Sequence, residues 1–192
     1  MWLCVGSDNL ALPMSGLANS SAEISASLNF TSVRFAQLRE AWTEEPQLDL
    51  IGGFSIPWSS PSPASLAEVS ATCWMFGREL NRKTKVPVGL LGLHVNKTDI
   101  WPWAPYEAVT SNCAREAFYN HSQARGYWGG MVYPLLNMTA AGAIFYEGQL
   151  DAERRTNMSQ YQCLLNQTLS MWSRLQGLDK EINWSENYFY EN

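Results

Sequence analysis

An apolar run, Met1-Trp-Leu-Cys-Val5, ends in Gly6 and then in two residues that could do chemistry, Ser7 and Asp8. The run reads as a short buried strand. Gly6 permits a sharp turn where a Cβ would be costly. In open α/β sheets, ligands sit just beyond the carboxyl ends of the strands. A strand, a tight turn and an exposed residue is how a fold presents a nucleophile. On these residues alone, a plain strand-to-loop turn is the preferred reading.

Other reactive groups are sparse. There are two histidines, His94 at the end of an apolar run and His121 in a loop. The four cysteines, Cys4, Cys73, Cys113 and Cys163, are widely spaced with no Cys-x-x-Cys, which argues against zinc. No metal or organic cofactor site is expected. The cysteines fit one or two disulfides, with the pairing open. Cys4 and Cys73, in strongly apolar segments, read equally well as buried thiols. In the loop Asn96 to Ala104, Trp101 and Trp103 either wall a sugar-sized cleft or cap the core.

The 192 residues are 46% hydrophobic, enough for one domain with a sizeable core. Only 16% are charged, with a net charge of −5, so nothing marks a nucleic-acid partner. The longest apolar run, Val86 to Val95, is too short to span a bilayer. Asn-x-Ser/Thr sequons begin at Asn19, Asn29, Asn96, Asn120, Asn137, Asn157, Asn166 and Asn183, eight of thirteen asparagines. Glycans would solubilise a surface so poor in charge. The N-terminus itself shows no signal peptide. The sequons therefore imply a secreted or lysosomal protein if a signal peptide precedes Met1, and a cytosolic one if Met1 is the true start.

These residues need a scaffold. Ala11 to Leu28 reads as a loop with a weak helical turn. Ser32 to Leu38 alternates as a strand, and Phe54 to Trp58 reads as a short edge strand ended by Pro57 and the following Ser/Pro run. One helix is expected from Pro63, with a capping box at Ser65-x-x-Glu68. Its apolar stripe is Leu66, Val69, Cys73, Phe76 and Leu80. Val86 to Val95 suits a strand covered on both faces. Trp128 to Leu136 reads as a compact apolar turn under the sheet, and Gly142 to Tyr146 as a third clear strand. A last helix, capped at Ser159, carries Tyr161, Leu164, Leu165, Thr168, Met171, Trp172 and Leu175. The tail, 180–192, is expected to be exposed. Alternating strands and helices give an α/β fold with a mostly parallel sheet in one domain, 1–192. The chain ends after the helix that should feed one more strand, so the sheet is expected to be incomplete, its C-terminal part missing.

Several segments together carry a resemblance. Trp2-Leu-Cys-Val-Gly-Ser-Asp-Asn-Leu10 resembles the Trp-Leu-Cys-Ser-Gly-Gln-Ser-Asn-Met of the sialate O-acetylesterases, in the SGNH-hydrolase superfamily. Ser70 to Leu80 and Val86 to Leu91 are similar to that family's central helix and strand. Trp128-x-x-Met131, Pro134 to Thr139, Gly142 to Gln149, Tyr161-x-Cys163 and Trp172 follow in the family's order. The resemblance implies a flavodoxin-like three-layer fold and a carboxylic ester hydrolase of the secretory pathway that removes acetyl groups from sialic acids. It further implies a serine nucleophile in Gly-Gln-Ser-Asn, an oxyanion donor in a Trp-Gly-Gly loop, a polar Tyr-Gln-Gly-Glu wall and a base in Asp-x-x-His.

The chemical positions depart from that pattern. Asp8 stands where the resemblance puts the nucleophile, with Ser7 as the possible substitute. Val95-Asn96-Lys97 replaces Trp-Gly-Gly, placing side chains at Asn96 and Lys97 where a bare backbone donor is expected. Glu147-Gly148-Gln149 reverses the neutral and charged ends of Gln-Gly-Glu. No Asp-x-x-His occurs in the 192 residues. An ester hydrolase needs a nucleophile, a base and oxyanion donors. Asp8 could attack as a carboxylate, but hydrolysing the resulting anhydride still needs an activated water. The expected function is thus an inactive homologue with residual sialoglycan binding, through Trp101, Trp103 and Tyr146, or with an unidentified protein partner. The alternative is a weakly active O-acetyl ester hydrolase.

Overall fold

The computed structural model describes residues 1–111, 126–154 and 157–175; the tail 180–192, Cys113, His121, Asn120 and Asn183 lie outside the described residues. Five strands form one sheet: β1 (Trp2–Gly6), β2 (Val33–Leu38), β3 (Phe54–Ser59), β4 (Val88–His94) and β5 (Gly142–Tyr146), in the order β3-β2-β4-β1-β5. β1 runs parallel to β4 and β5, β2 parallel to β4, and β3 antiparallel to β2. The mostly parallel α/β sheet expected from the sequence is present. β3 sits at an edge and runs through Pro57 to Ser59, where a missing N–H is tolerated.

Side-chain alternation splits the core into two layers. Leu3, Val5, Ala36, Leu38, Leu91 and Leu93 meet Trp103, Trp128, Met131 and Trp172 on one face. Cys4, Val33, Phe35, Val88 and Leu90 meet Leu10, Met14, Leu66, Val69, Cys73 and Trp74 on the other. Seven helices are described: α1 (Asp8–Ala11), α2 (Ser20–Ser27), α3 (Pro63–Glu68), α4 (Ala71–Thr84), α5 (Tyr106–Val109), α6 (Gln149–Glu153) and α7 (Met158–Leu175). The apolar segment 128–135 forms a buried π-helical turn and a 3-10 turn under the sheet.

Three expectations need correction. The last helix begins at Met158 and is capped by Asn157 in place of Ser159: Asn157 Oδ1 accepts from the N–H groups of Ser159 and Gln160 at 3.0 and 3.3 Å, because the side chain one residue before the helix is the one that reaches its free donors. Ala11 to Leu28 is not mainly loop: α2 forms there without an apolar stripe, fixed by a Glu23–Arg78 ion pair of 2.8 Å and by Trp74 Nε1 donating to Ser27 Oγ at 2.8 Å. The single helix expected from Pro63 breaks at Val69–Ser70. Met14 N–H donates to the Val69 carbonyl and Ala71 N–H to the Leu12 carbonyl, at 2.9 and 2.8 Å, so the passing chain takes groups a continuous helix would use. Each piece has its own cap. The capping box is Ser62 with Ser65, in place of Ser65 with Glu68, and Ser70 Oγ accepts from Cys73 N–H.

Cys4 and Cys73 form a disulfide joining β1 to α4, with Cα atoms 5.9 Å apart. Of the two readings of this pair, the cross-link is the one the fold adopts. Cys163 is also disulfide-bonded.

Candidate functional site

The strand order reverses at β1, with β2 and β4 on one side and β5 on the other. The crevice beyond the carboxyl ends of β1 and β5 is thus a topological switch point, the usual ligand position in such sheets. It is lined by Ser7, Asp8, Asn9, Tyr146, Glu147 and Gln149. Gly6 makes this approach possible: its φ is +154°, and a Cβ there would collide with the Tyr146 carbonyl. Ser7 N–H donates to that same carbonyl at 3.1 Å.

Ser7 is buried and acts as the N-cap residue of α1 without a side-chain cap bond. Its hydroxyl donates to Asp8 Oδ2 at 3.0 Å and accepts from Thr98 N–H at 3.2 Å. The other carboxylate oxygen, Asp8 Oδ1, accepts from Lys97 N–H at 3.0 Å. The structure therefore brings Ser7, Asp8 and Lys97 into one hydrogen-bonded group. Lys97 has a φ of +58°, a left-handed conformation that favours glycine. The backbone at this position keeps a glycine-like shape although the residue is lysine.

Across the crevice, Asn9 Nδ2 donates to the Tyr146 hydroxyl at 3.2 Å. Both carboxyl oxygens of Glu147 are buried. Burial, then the neighbouring carboxylate of Asp151, then Asp99 and Asp8, push its pKa well above the ordinary 4.5, favouring the protonated form. The space enclosed by the crevice is about 10 Å³, close to one water and too small for an acetyl group. Among the described residues, no cluster of three or more His, Cys, Asp or Glu is arranged to hold a metal.

Trp101 and Trp103 do not wall a cleft. They are 5% and 0% exposed, in a 3-10 turn packed between core clusters, and so take the core-capping alternative. Trp103 Nε1 donates to Thr98 Oγ1 at 3.1 Å, so the indole steadies the loop that contacts Ser7. Tyr146 remains 43% exposed at the crevice rim. Asn96 is exposed and lies outside the crevice. His94 ends β4 as a strand-end histidine, and burial lowers its pKa to about 4.

Sequence reasoning missed the supports behind this site. Asp151 Oδ2 accepts from Ile100 N–H at 3.0 Å, and Asp99 pairs with Arg154 at 2.7 Å, tying the loop after β4 to α6. Their only signal was proximity in sequence to Lys97 and Gln149. A second, larger cleft of about 420 Å³ opens beyond β2 and β4, with Gln37, Arg39, His94, Asn96 and Lys97 on its walls.

No family model matches the chain. Two curated proteins, the sialate O-acetylesterases of Pongo abelii and Homo sapiens, are each 26% identical to it over 193 residues, covering 90% of this chain and 35% of theirs. The sialate O-acetylesterase of Rattus norvegicus is 26% identical over 211 residues, covering 38% of that protein. The chain thus spans about a third of the length of these relatives. A crystal structure of a carbohydrate acetylesterase from Xanthomonas citri superposes with a TM-score of 0.79 at 24% identity, covering 92% of this chain and 38% of that one. That likeness establishes the shared α/β fold.

Proposed function

We propose that the chain is a member of the sialate O-acetylesterase family, a homologue without acetylesterase turnover that keeps a weak capacity to bind sialylated glycans; its similarity to the curated sialate O-acetylesterases supports the membership. The observation that carries this reading is the bonding of Asp8. At the position where the family resemblance puts the serine nucleophile, a carboxylate takes up Lys97 N–H and the Ser7 hydroxyl, at 3.0 Å each. An oxyanion forming there would meet a backbone donor already engaged by a fixed negative charge. Losing one oxyanion donor typically costs about 10²–10³ in rate. The reversed Glu147/Gln149 pair acts in the same direction. Glycan binding would use the exposed rim at Tyr146, since Trp101 and Trp103 are buried.

The secretory route is part of the proposal. It is supported by the six sequon asparagines among the described residues, Asn19, Asn29, Asn96, Asn137, Asn157 and Asn166, all exposed. No described helix is long and apolar enough to cross a membrane.

One observation favours a second reading, a weakly active ester hydrolase. The Ser7 hydroxyl donates to the Asp8 carboxylate, the arrangement of a hydroxyl nucleophile beside a base. The test is turnover by the secretory-expressed chain of a fluorogenic acetyl ester and an O-acetylated sialoside, beside Ser7→Ala and Asp8→Ala. The expected result is no turnover above the protein-free rate. Turnover abolished by one of the two substitutions would overturn the proposal and establish the second reading.

A further inference from the structure

The cleft beyond β2 and β4 has two features that the esterase resemblance does not use. Gln37 and His94 both line it, and Gln37 Oε1 and His94 Nε2 are buried without a hydrogen-bond partner. Both side chains pass close to Gly92, where a Cβ would lie 3.2 Å from His94 Nε2 and 3.4 Å from Gln37 Cγ. Buried polar atoms left unmatched are costly, so a group carrying donors and acceptors is stabilised there. The second feature is covalent. Asn96 lines the same cleft, is exposed, and opens the sequon Asn96-Lys-Thr98.

We infer that Asn96 carries an N-linked glycan whose first N-acetylhexosamine folds back into this cleft and bonds Gln37 and His94. The volume, about 420 Å³, falls within the range of small-molecule pockets, about 300–1,000 Å³. Sugar hydroxyls and the N-acetyl group both donate and accept, so one residue matches the acceptor on Gln37 and either tautomer of His94. A free monosaccharide would bind such a site weakly. Attached at the wall, it is held at an effective concentration of about millimolar or above, and a weak affinity suffices. The tethered sugar then supplies the partners that Gln37 Oε1 and His94 Nε2 lack and steadies the Asn96 to Thr98 segment that contacts Ser7 and Asp8.

This inference rests on the secretory part of the proposed function. It is tested on the full chain secreted from a host that adds high-mannose glycans. Glycopeptide mass spectrometry reads occupancy site by site, and endoglycosidase H is applied to native and to denatured protein. In the native protein, removal at Asn96 is expected to be at least about tenfold slower than at Asn29 and Asn137. In denatured protein the rates are expected to match. Gln37→Ala and His94→Leu are each expected to bring the native Asn96 rate toward that of Asn29. Equal native rates in the parent, or protection unchanged in a folded Gln37→Ala protein, would overturn the inference. Asn96 left bare while Asn29 and Asn137 are occupied would overturn it and leave the secretory reading standing. No glycan at any sequon would overturn both.

Discussion

At Lys97 the backbone holds a shape that its side chain disfavours. A left-handed non-glycine residue costs about 1–2 kcal/mol, and the position persists because its N–H bonds Asp8 and the next N–H bonds Ser7. Glycine removes that strain but costs about 0.5–1 kcal/mol in chain entropy. Lys97→Gly is therefore expected to leave stability unchanged or raise it by up to about 1.5 kcal/mol, read from the urea midpoint. Two titrating side chains act in opposite directions. Glu147 has its pKa raised in the fold, so its contribution is full below 4.5 and is lost as pH rises toward the folded value. His94 has its pKa lowered from 6.5 to about 4, so its contribution is full above 6.5 and is lost as pH falls through that window. Above pH 4.5 the Glu147 slope therefore opposes that of His94. The parent is expected to show a shallower rise of stability with pH there than Glu147→Gln does. Glu147→Gln should leave a curve that rises with pH, and urea melts at closely spaced pH values check it.

Among the elements, β1 and α4 are joined just before the loop of Ser7 and Asp8. The Cys4–Cys73 disulfide closes 69 residues of chain, which the chain-entropy model values at about 4 kcal/mol. Replacing both cysteines by alanine is expected to lower unfolding free energy by about 2–5 kcal/mol, measured by denaturant melts. The strands were legible from their apolar runs because each buries its own side chains. The break between α3 and α4 was not, because its cause is the chain at Leu12 to Met14, more than fifty residues away. For the same reason α2 went unseen: its anchors are Glu23 to Arg78 and Ser27 to Trp74, contacts that leave no local periodicity.

Across the whole molecule, Trp103 links the large core beneath the sheet to the site loop through Thr98. Removing a fully buried indole typically costs about 3–5 kcal/mol. Trp103→Ala is expected to lose stability on that scale, and thermal melts should show the loss before any effect on sialoside binding can be read. A Trp103→Ala protein that melts like the parent yet loses binding would return this residue to the site. β1 also gathers the distant parts: its end pairs with His94 on one side and Tyr146 on the other, so segments 89 and 137 residues away in sequence meet the loop at Asp8 and Asn9.

The sequence by itself determined the class of fold, most strand positions, the resemblance to the sialate O-acetylesterases and the departures from their motifs, since these depend on local apolar pattern and on residue identity in order. Tertiary structure alone decided what those substitutions do. Asp8 and Lys97 are 89 residues apart, and only packing β1 against β4 turns two separate departures into one hydrogen bond. Whether Trp101 and Trp103 faced a sugar or the core was likewise settled by burial, because an aromatic side chain serves either place equally well until the fold fixes its surroundings.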